Sequence, residues 1–312
     1  MSDAVSDDDG LLLRGLDGSN PLAFLAAVGT LRILTLAWPK CEVAMGWKPY
    51  RSSWCPFLVT RNSDHLSSEE EVVSALADTL TTDFDSHPCH VWQKVLTGTL
   101  LDRRAVAEEA LLGGRCGVSE WLGGIGINTW SDENTDTQLR TTRQDYHVGN
   151  LRSVTGRTKP SHLHRTLFQY WDYADPLANQ SLHLDPSEDR RHAYQWNRPT
   201  SDPDRFRRGN MLGANRLAIE AIPLILTVPT QGGLVTTGFR GRRVTNTLWR
   251  WPIWRPPVRV ALLGAILSLE DIQVDPPDPT HLKARGIACI YQTQRILVQK
   301  TPNFSPAQGV MT

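Results

Sequence analysis

Seventeen consecutive residues, Leu22 to Trp38 (LAFLAAVGTLRILTLAW), constrain this chain more than any other stretch. Ser19 or Asn20 can cap a helix here, Pro21 suits its first turn and Pro39 stops it. Apolar side chains fall on most of its faces, so this helix is expected at the centre of a core. It does not read as a membrane span. A crossing helix needs about 20 mostly apolar residues, and this run contains Gly29, Thr30, Arg32 and Thr35. With 312 residues the chain is long enough to surround the helix as one large domain or two small ones.

Other segments take shape around it. Cys41 to Thr60 alternates apolar and aromatic residues, broken by Pro49 and Pro56, which predicts a hairpin of short strands. Ser67 and Ser68 before Glu69-Glu70-Glu71 mark a helix start, because acids in a first turn suit the helix dipole. Val91 to Leu112 reads as helix in one or two pieces broken near Gly98. The glycines at 113, 114, 117, 123, 124 and 126 lack the dinucleotide and P-loop spacings, and are expected in tight turns or where a partner closely approaches the backbone. Ser131 to Pro160 is polar and reads as a long loop, His162 to Trp171 as a helix, and Asp172 to Asn210 as charged turns. An amphipathic helix follows from Asn210, which Pro223 must kink or end. Gly233–Arg240, Val244–Trp254, Val258–Leu267 and Ile287–Gln299 are β-branched and aromatic and read mostly as strands. The expected class is α+β: an N-terminal helical region with a short hairpin, then mixed helices and antiparallel strands. The divisions fall at an acidic disordered arm (1–10), an acidic mostly helical region (11–130), a polar basic loop (131–160) and a basic α+β region (161–312).

Charge is balanced in total and segregated along the chain. Of 33 acids and 33 bases, residues 1–139 hold 20 acids and 10 bases, and residues 140–312 hold 13 acids and 23 bases. Twenty-seven of the bases are Arg, whose planar fork matches phosphates and guanine edges. No acid occurs between Glu220 and Glu270, where Arg240, Arg242, Arg243, Arg250, Arg255 and Arg259 alternate with Trp249, Trp251 and Trp254. Cations for phosphates beside flat rings for unstacked bases are what a single-stranded nucleic acid requires. The same composition also describes a buried aromatic layer under Arg stems, with the acidic half neutralising the basic one.

Catalytic signatures are sparse. No Ser lies in a nucleophile elbow and no Cys has the flanks of a thiol hydrolase. Asp145 and His147 with His162 and His164 are the one clustering of acid and imidazole in a basic stretch, and would suit a metal-dependent nuclease if the two later histidines shared a strand face. That segment reads as a helix, on which they diverge. His87-Pro88-Cys89-His90 is too crowded to complete a metal tetrahedron without a distant ligand. Asp185 to His192 has neighbouring Arg residues that would neutralise its carboxylates, as in a salt-bridged loop. Five cysteines at irregular spacings point away from a disulfide framework and towards a reducing compartment. The first ten residues carry four Asp and no base, the reverse of a secretory leader, so a cytoplasmic protein is expected.

Three blocks carry a resemblance: Leu13 to Leu25 (LRGLDGSNPLAFL) with Gly29-Thr30-Leu31-Arg32, Asp185 to Trp196 (DPSEDRRHAYQW), and Gly213 to Ala218 (GANRLA). They are similar to proteins of CRISPR type I-G systems, formerly I-U, in particular the large-subunit-like proteins and the accessory family described as an extension of the helicase-nuclease. The resemblance implies a non-catalytic, nucleic-acid-facing role beside other effector subunits and a guide RNA or target DNA, with no cofactor. Protein subunits in RNA-guided complexes grip phosphates while base pairing reads sequence. The residues expected to make such contacts are Arg190, Arg191, Arg198, Arg205, Arg207 and Arg208 from one loop region, and Arg240, Arg242, Arg243, Trp249 and Arg250 from neighbouring strands. The two other readings are the metal-dependent nuclease above and a purely structural adaptor.

Overall fold

In a computed structural model, which describes residues 10–61, 68–112, 117–127, 129, 137–176, 180–187, 209–230, 233–241, 246–298 and 301–311, a two-residue strand β1 (Leu11–Leu12) leads through a turn into helix α1 (Pro21–Ala37). Asn20 caps it, its side-chain oxygen accepting from Leu22 N at 2.9 Å and Ala23 N at 3.3 Å. The helix is buried on nearly every side, as its composition demands.

Strands β2 (Glu42–Tyr50) and β3 (Ser53–Arg61) form a hairpin of nine-residue arms, longer than the short pieces expected. The prolines do not break it. Pro56 directs its carbonyl to Leu13 N, 2.9 Å away, so its missing N–H also faces away from the β2–β3 ladder. Pro49 lies on the outer strand, next to the turn.

Helix α2 (Glu69–Thr79) begins at the expected cap, Ser68 accepting from Glu71 N at 3.1 Å. The next helical region divides at Gly98, as expected, into α3 (Val91–Thr97) and α4 (Leu100–Leu112). Gly123 and Gly124 lie inside α5 (Val118–Ile125), where the missing side chain of Gly124 admits the Ile222 carbonyl. The expected loop at 131–160 instead contains α6 (Gln144–Arg157). Leu151 and Val154 are its fully buried apolar residues among those described, too few to raise a periodic signal.

After α7 (Pro160–Phe168) comes α8 (Leu212–Ala221), with all ten residues buried, so it is central and not amphipathic. Pro223 ends it in a single 3-10 turn, Ile222–Leu224. Strands β4 (Thr227–Thr230) and β5 (Gly233–Thr236) make a small hairpin, followed by β6 (Phe239–Arg240) and β7 (Leu248–Trp254). Of the strand expected at 258–267, only Val258 makes a strand-like bridge, to Met45. The remainder is helix α9 (Val260–Leu267), whose inward residues Leu263 and Leu267 are four apart. Helix α10 (Pro279–Ala284) precedes β8 (Ile287–Val298), β9 (Thr301–Phe304) and β10 (Gln308–Met311).

The strands form a sheet in the order β1-β3-β2, a second in the order β10-β8-β7-β6 with β9 also on β8, and the β4-β5 pair. Every pairing among them is antiparallel. The fold is α+β. Helix α1 packs on α8, α2, β2 and α9. Gly29 marks the closest approach, because a Cβ there would collide with the Leu217 carbonyl. On the other side, Phe24 meets Trp47, Trp251 and Trp254 at ring-centre distances of 6.0, 5.9 and 6.3 Å. The indole N–H groups of Trp251 and Trp254 donate to the Gly18 and Met45 carbonyls, both at 2.8 Å. Rings from the acidic and basic halves therefore share one aromatic cluster.

Candidate functional site

The residues expected to meet nucleic acid fall into three groups. Arg190, Arg191, Arg198, Arg205, Arg207, Arg208, Arg242 and Arg243 lie outside the described residues. Arg240 is exposed and donates to the Gln273 carbonyl at 2.6 Å. Trp249 and Arg250 are interior, which corrects the expectation that they face a ligand. Trp249 stacks on Phe239 at 5.2 Å and touches Trp251 and Phe304. Arg250 donates to Gln292 Oε1 at 2.6 Å and to the Val274 carbonyl at 2.8 Å, with Asp275 3.3 Å away. Every second residue of β7 points the same way, and here both of its faces are covered.

The three histidines of the nuclease reading do not converge. His162 and His164 diverge on α7, as a helix requires: His162 Nδ1 accepts from Lys159 N at 3.0 Å, whereas His164 Nε2 lies 3.2 Å from Glu69. His147 is buried edge-on against Trp92, with ring centres 4.3 Å apart. Burial, with help from Arg140 and His183, pushes its pKa down to about 3. Asp145 lies on the same helix. Among the described residues, no three His, Cys, Asp or Glu side chains are grouped to hold a metal ion. His87 is likewise committed, its Nε2 lying 2.7 Å from Glu220 and its Nδ1 accepting from Cys89 N at 3.1 Å.

A cleft of about 540 Å³ opens at the start of α1. Its floor is the Leu13–Pro21 turn, fixed by backbone bonds from Gly15 N to the Leu167 carbonyl (2.9 Å) and from Gly18 N to the Trp54 carbonyl (2.8 Å). One wall is the tip of the β2–β3 hairpin, residues 50–53, and the other is the segment after α7, Tyr170, Trp171 and Tyr173. Ser187 and Ala307 complete the rim. Arg51 leans over both Tyr50 and Tyr170, its guanidinium carbon 5.3 Å and 4.8 Å from the two ring centres. Tyr170 remains 67% exposed even so.

Two of the three described non-glycine residues with positive φ line this cleft, Arg51 at 55° and Tyr173 at 52°. Such backbone costs of order 1–3 kcal/mol and persists where surrounding contacts over-determine it, often at ligand clamps. Tyr173 is held by its hydroxyl, which donates to Asp185 at 2.8 Å. Cleft charge is uneven. Arg14 is spent on Glu69 at 2.5 Å, and Arg51 has no carboxylate partner among the described residues. Asp17, half-buried on the floor, is the one carboxylate among the lining residues, and its Oδ1 accepts from Ser19 N and Oγ.

Sequence reasoning did not single out Tyr50, Arg51, Tyr170 or Tyr173 as a site. Two signals were available: an Arg at the tip of a predicted hairpin, and the aromatic run Phe168-Gln169-Tyr170-Trp171-Asp172-Tyr173 at a helix end. Their meeting is a tertiary fact that neither segment carries alone. The chain matches no protein-family model, no curated protein and no solved structure with which it was compared.

Proposed function

We propose that this protein is a non-catalytic, nucleic-acid-binding component of a CRISPR type I-G defence system, and that the cleft between the hairpin tip and Tyr170–Tyr173 is one of its contacts with the polyanion. The observation that carries this reading is Arg51, a cation held in place by two tyrosine rings and left without a carboxylate partner among the described residues. Guanidinium charge fixed beside aromatic faces suits phosphate and base together. Further support comes from the resemblance blocks, since the first of them, Leu13 to Leu25, supplies the cleft residues Arg14 to Asp17, Ser19, Asn20 and Ala23. The stretch 188–208, with Arg190, Arg191, Arg198, Arg205, Arg207 and Arg208, follows cleft residue Ser187. Gly209, the next described residue, donates its N–H to the Tyr173 carbonyl at 2.8 Å.

Binding to single- and double-stranded DNA across salt concentrations tests the proposal. If roughly 6 to 10 phosphates are contacted, affinity falls by about three to five decades between about 50 and about 200 mM salt. Absence of binding at low salt, for the isolated protein and for its effector assembly alike, overturns it.

A structural-adaptor reading is favoured by the internal use of Trp249 and Arg250. The two readings separate in an Arg51→Glu, Arg240→Glu double variant. A binder loses DNA affinity with its fold intact, whereas an adaptor keeps whatever affinity it has and loses assembly.

A further inference from the structure

We infer that the cleft at the start of α1 is a subsite for one unpaired nucleotide, with the base flat against Tyr170 and its flanking phosphate at the rim on Arg51. This deepens the proposed function and rests on it.

Size comes first. About 540 Å³ falls in the range of small-ligand sites, roughly 300–1,000 Å³, and admits a single nucleotide. A duplex keeps its bases paired and stacked inside, so a site of this volume can take a base only if that base is already unpaired or is extruded.

Chemistry then sets the direction of entry. The floor carries Asp17 and the Leu13–Pro21 backbone, and a phosphate there would face a carboxylate across a half-buried space. Asp17 is acceptor-only when ionised and suits the amino or imino donors of a base edge. The cation without a carboxylate partner, Arg51, is at the exposed tip of the hairpin. Phosphate outward and base inward is the arrangement in which neither charge is opposed.

Pre-organisation is the third element. Tyr170 is 67% exposed as a residue, with Arg51 beside its ring. Arg51, held at positive φ, caps the same ring from the hairpin side, and Tyr173 is fixed at positive φ by its bond to Asp185. Rigid aromatics bind with little entropic loss, which is how stacking platforms take bases without regard to sequence.

The experiment uses the full chain with fluorescein-labelled oligothymidylate, oligouridylate and a duplex containing the same thymidylate strand, measured by anisotropy at low salt. The wild type is expected to bind either single strand more tightly than the duplex. Tyr170→Ala is expected to weaken single-strand binding about tenfold, the loss of one stacked base, and leave duplex binding unchanged. Tyr170→Phe keeps the ring face and should recover most of that loss, while Arg51→Ala should lower the salt slope by about one phosphate. Tyr170 is exposed, so circular dichroism should report an intact fold for each of its variants. Equal affinity for single strand and duplex, or a silent Tyr170→Ala, overturns the subsite while leaving nucleic-acid binding in place. If neither form binds, to the isolated chain or to its effector assembly, the proposed function falls and the subsite falls with it.

Discussion

Arg32 of α1 donates to the Glu220 carboxylate of α8 at 3.0 Å, across the helix pair that Gly29 brings together. The same carboxylate takes Arg216 at 2.5 Å and His87 at 2.7 Å, all but Arg32 being almost fully buried. An acid from the basic half thus serves a cation from the acidic half. Burial alone would raise the Glu220 carboxyl, but Arg216 and His87 outweigh it and hold it at about 2.

Removing that carboxylate leaves Arg216 and His87 in the interior without their anion. Glu220→Ala is expected to cost about 3–5 kcal/mol, the usual price of breaking one side of a buried pair. Urea unfolding measures it. Because the folded pKa lies below the ordinary 4.5, the ionised form stabilises fully above about 4.5, and that contribution fades as pH falls towards about 2. An unfolding free energy for Glu220→Ala within 1 kcal/mol of wild type, at neutral pH, would show that the node contributes little; about 1 kcal/mol is the average for any substitution.

His147 should act in a different window. Its ring is kept neutral by burial, with a folded pKa of about 3 against an ordinary 6.5. The unfolded chain therefore binds the extra proton first, so this stabilisation is complete above about 6.5 and drains away as pH falls towards about 3. Between about 6.5 and 4.5 the loss belongs to His147, joined by His162, whose pKa burial also lowers, and not to Glu220. His147→Phe, which keeps a ring against Trp92, should flatten the stability profile there. An unchanged slope from pH 6.5 to 4.5 would mean that the histidine is already protonated in the fold.

What the sequence revealed and what it hid divide along one physical line. Elements with strong local signals were legible: α1 from its apolar run and its cap, α2 from Ser68 and three Glu, the break at Gly98, and the stop at Pro223. Helices α6 and α9 were not, because α6 has few apolar residues and α9, VALLGAIL, has too many for a period to show. The charge split was equally ambiguous on its own. Among the described residues, cations of the second half pair with acids of both halves. Arg152 is bidentate on Asp85 at 2.8 and 2.9 Å and Arg259 reaches Glu42 at 2.8 Å, while Arg165, Arg250 and Arg285 use acids of their own half. The cleft was hidden because its walls are about 120 residues apart in sequence.

The interior placement of β7 predicts opposite responses at neighbouring arginines. Arg250→Ala strands the Gln292 side chain and two backbone carbonyls that now accept from it, and should cost about 2–4 kcal/mol. Arg240→Ala, at an exposed position, should stay within about 0.5 kcal/mol. Trp249→Ala should cost about 3–5 kcal/mol through the cavity it leaves among Phe239, Trp251 and Phe304. Thermal unfolding of the three variants decides this, and a Trp249→Ala protein as stable as wild type would return that ring to the surface.

Gly29 sets the distance between the two central helices, and so tests the core from the opposite direction. The obstructing atom is the Leu217 carbonyl oxygen, which belongs to a helix and cannot turn aside as the end of a flexible side chain could. In an exposed helix Gly→Ala raises stability, by up to about 1 kcal/mol, since alanine has the better propensity. At Gly29 the sign should invert. The added methyl must push α8 outward, disturbing Arg216 and Glu220 one turn along, and overpacking of this kind costs about 1–3 kcal/mol. Gly29→Ala should therefore lower the urea midpoint, and Gly149→Ala, where a Cβ meets nothing within 4 Å on helix α6, should raise it or leave it unchanged. If both substitutions stabilise the protein alike, α1 and α8 do not touch at Gly29 and the packing of the core is other than described.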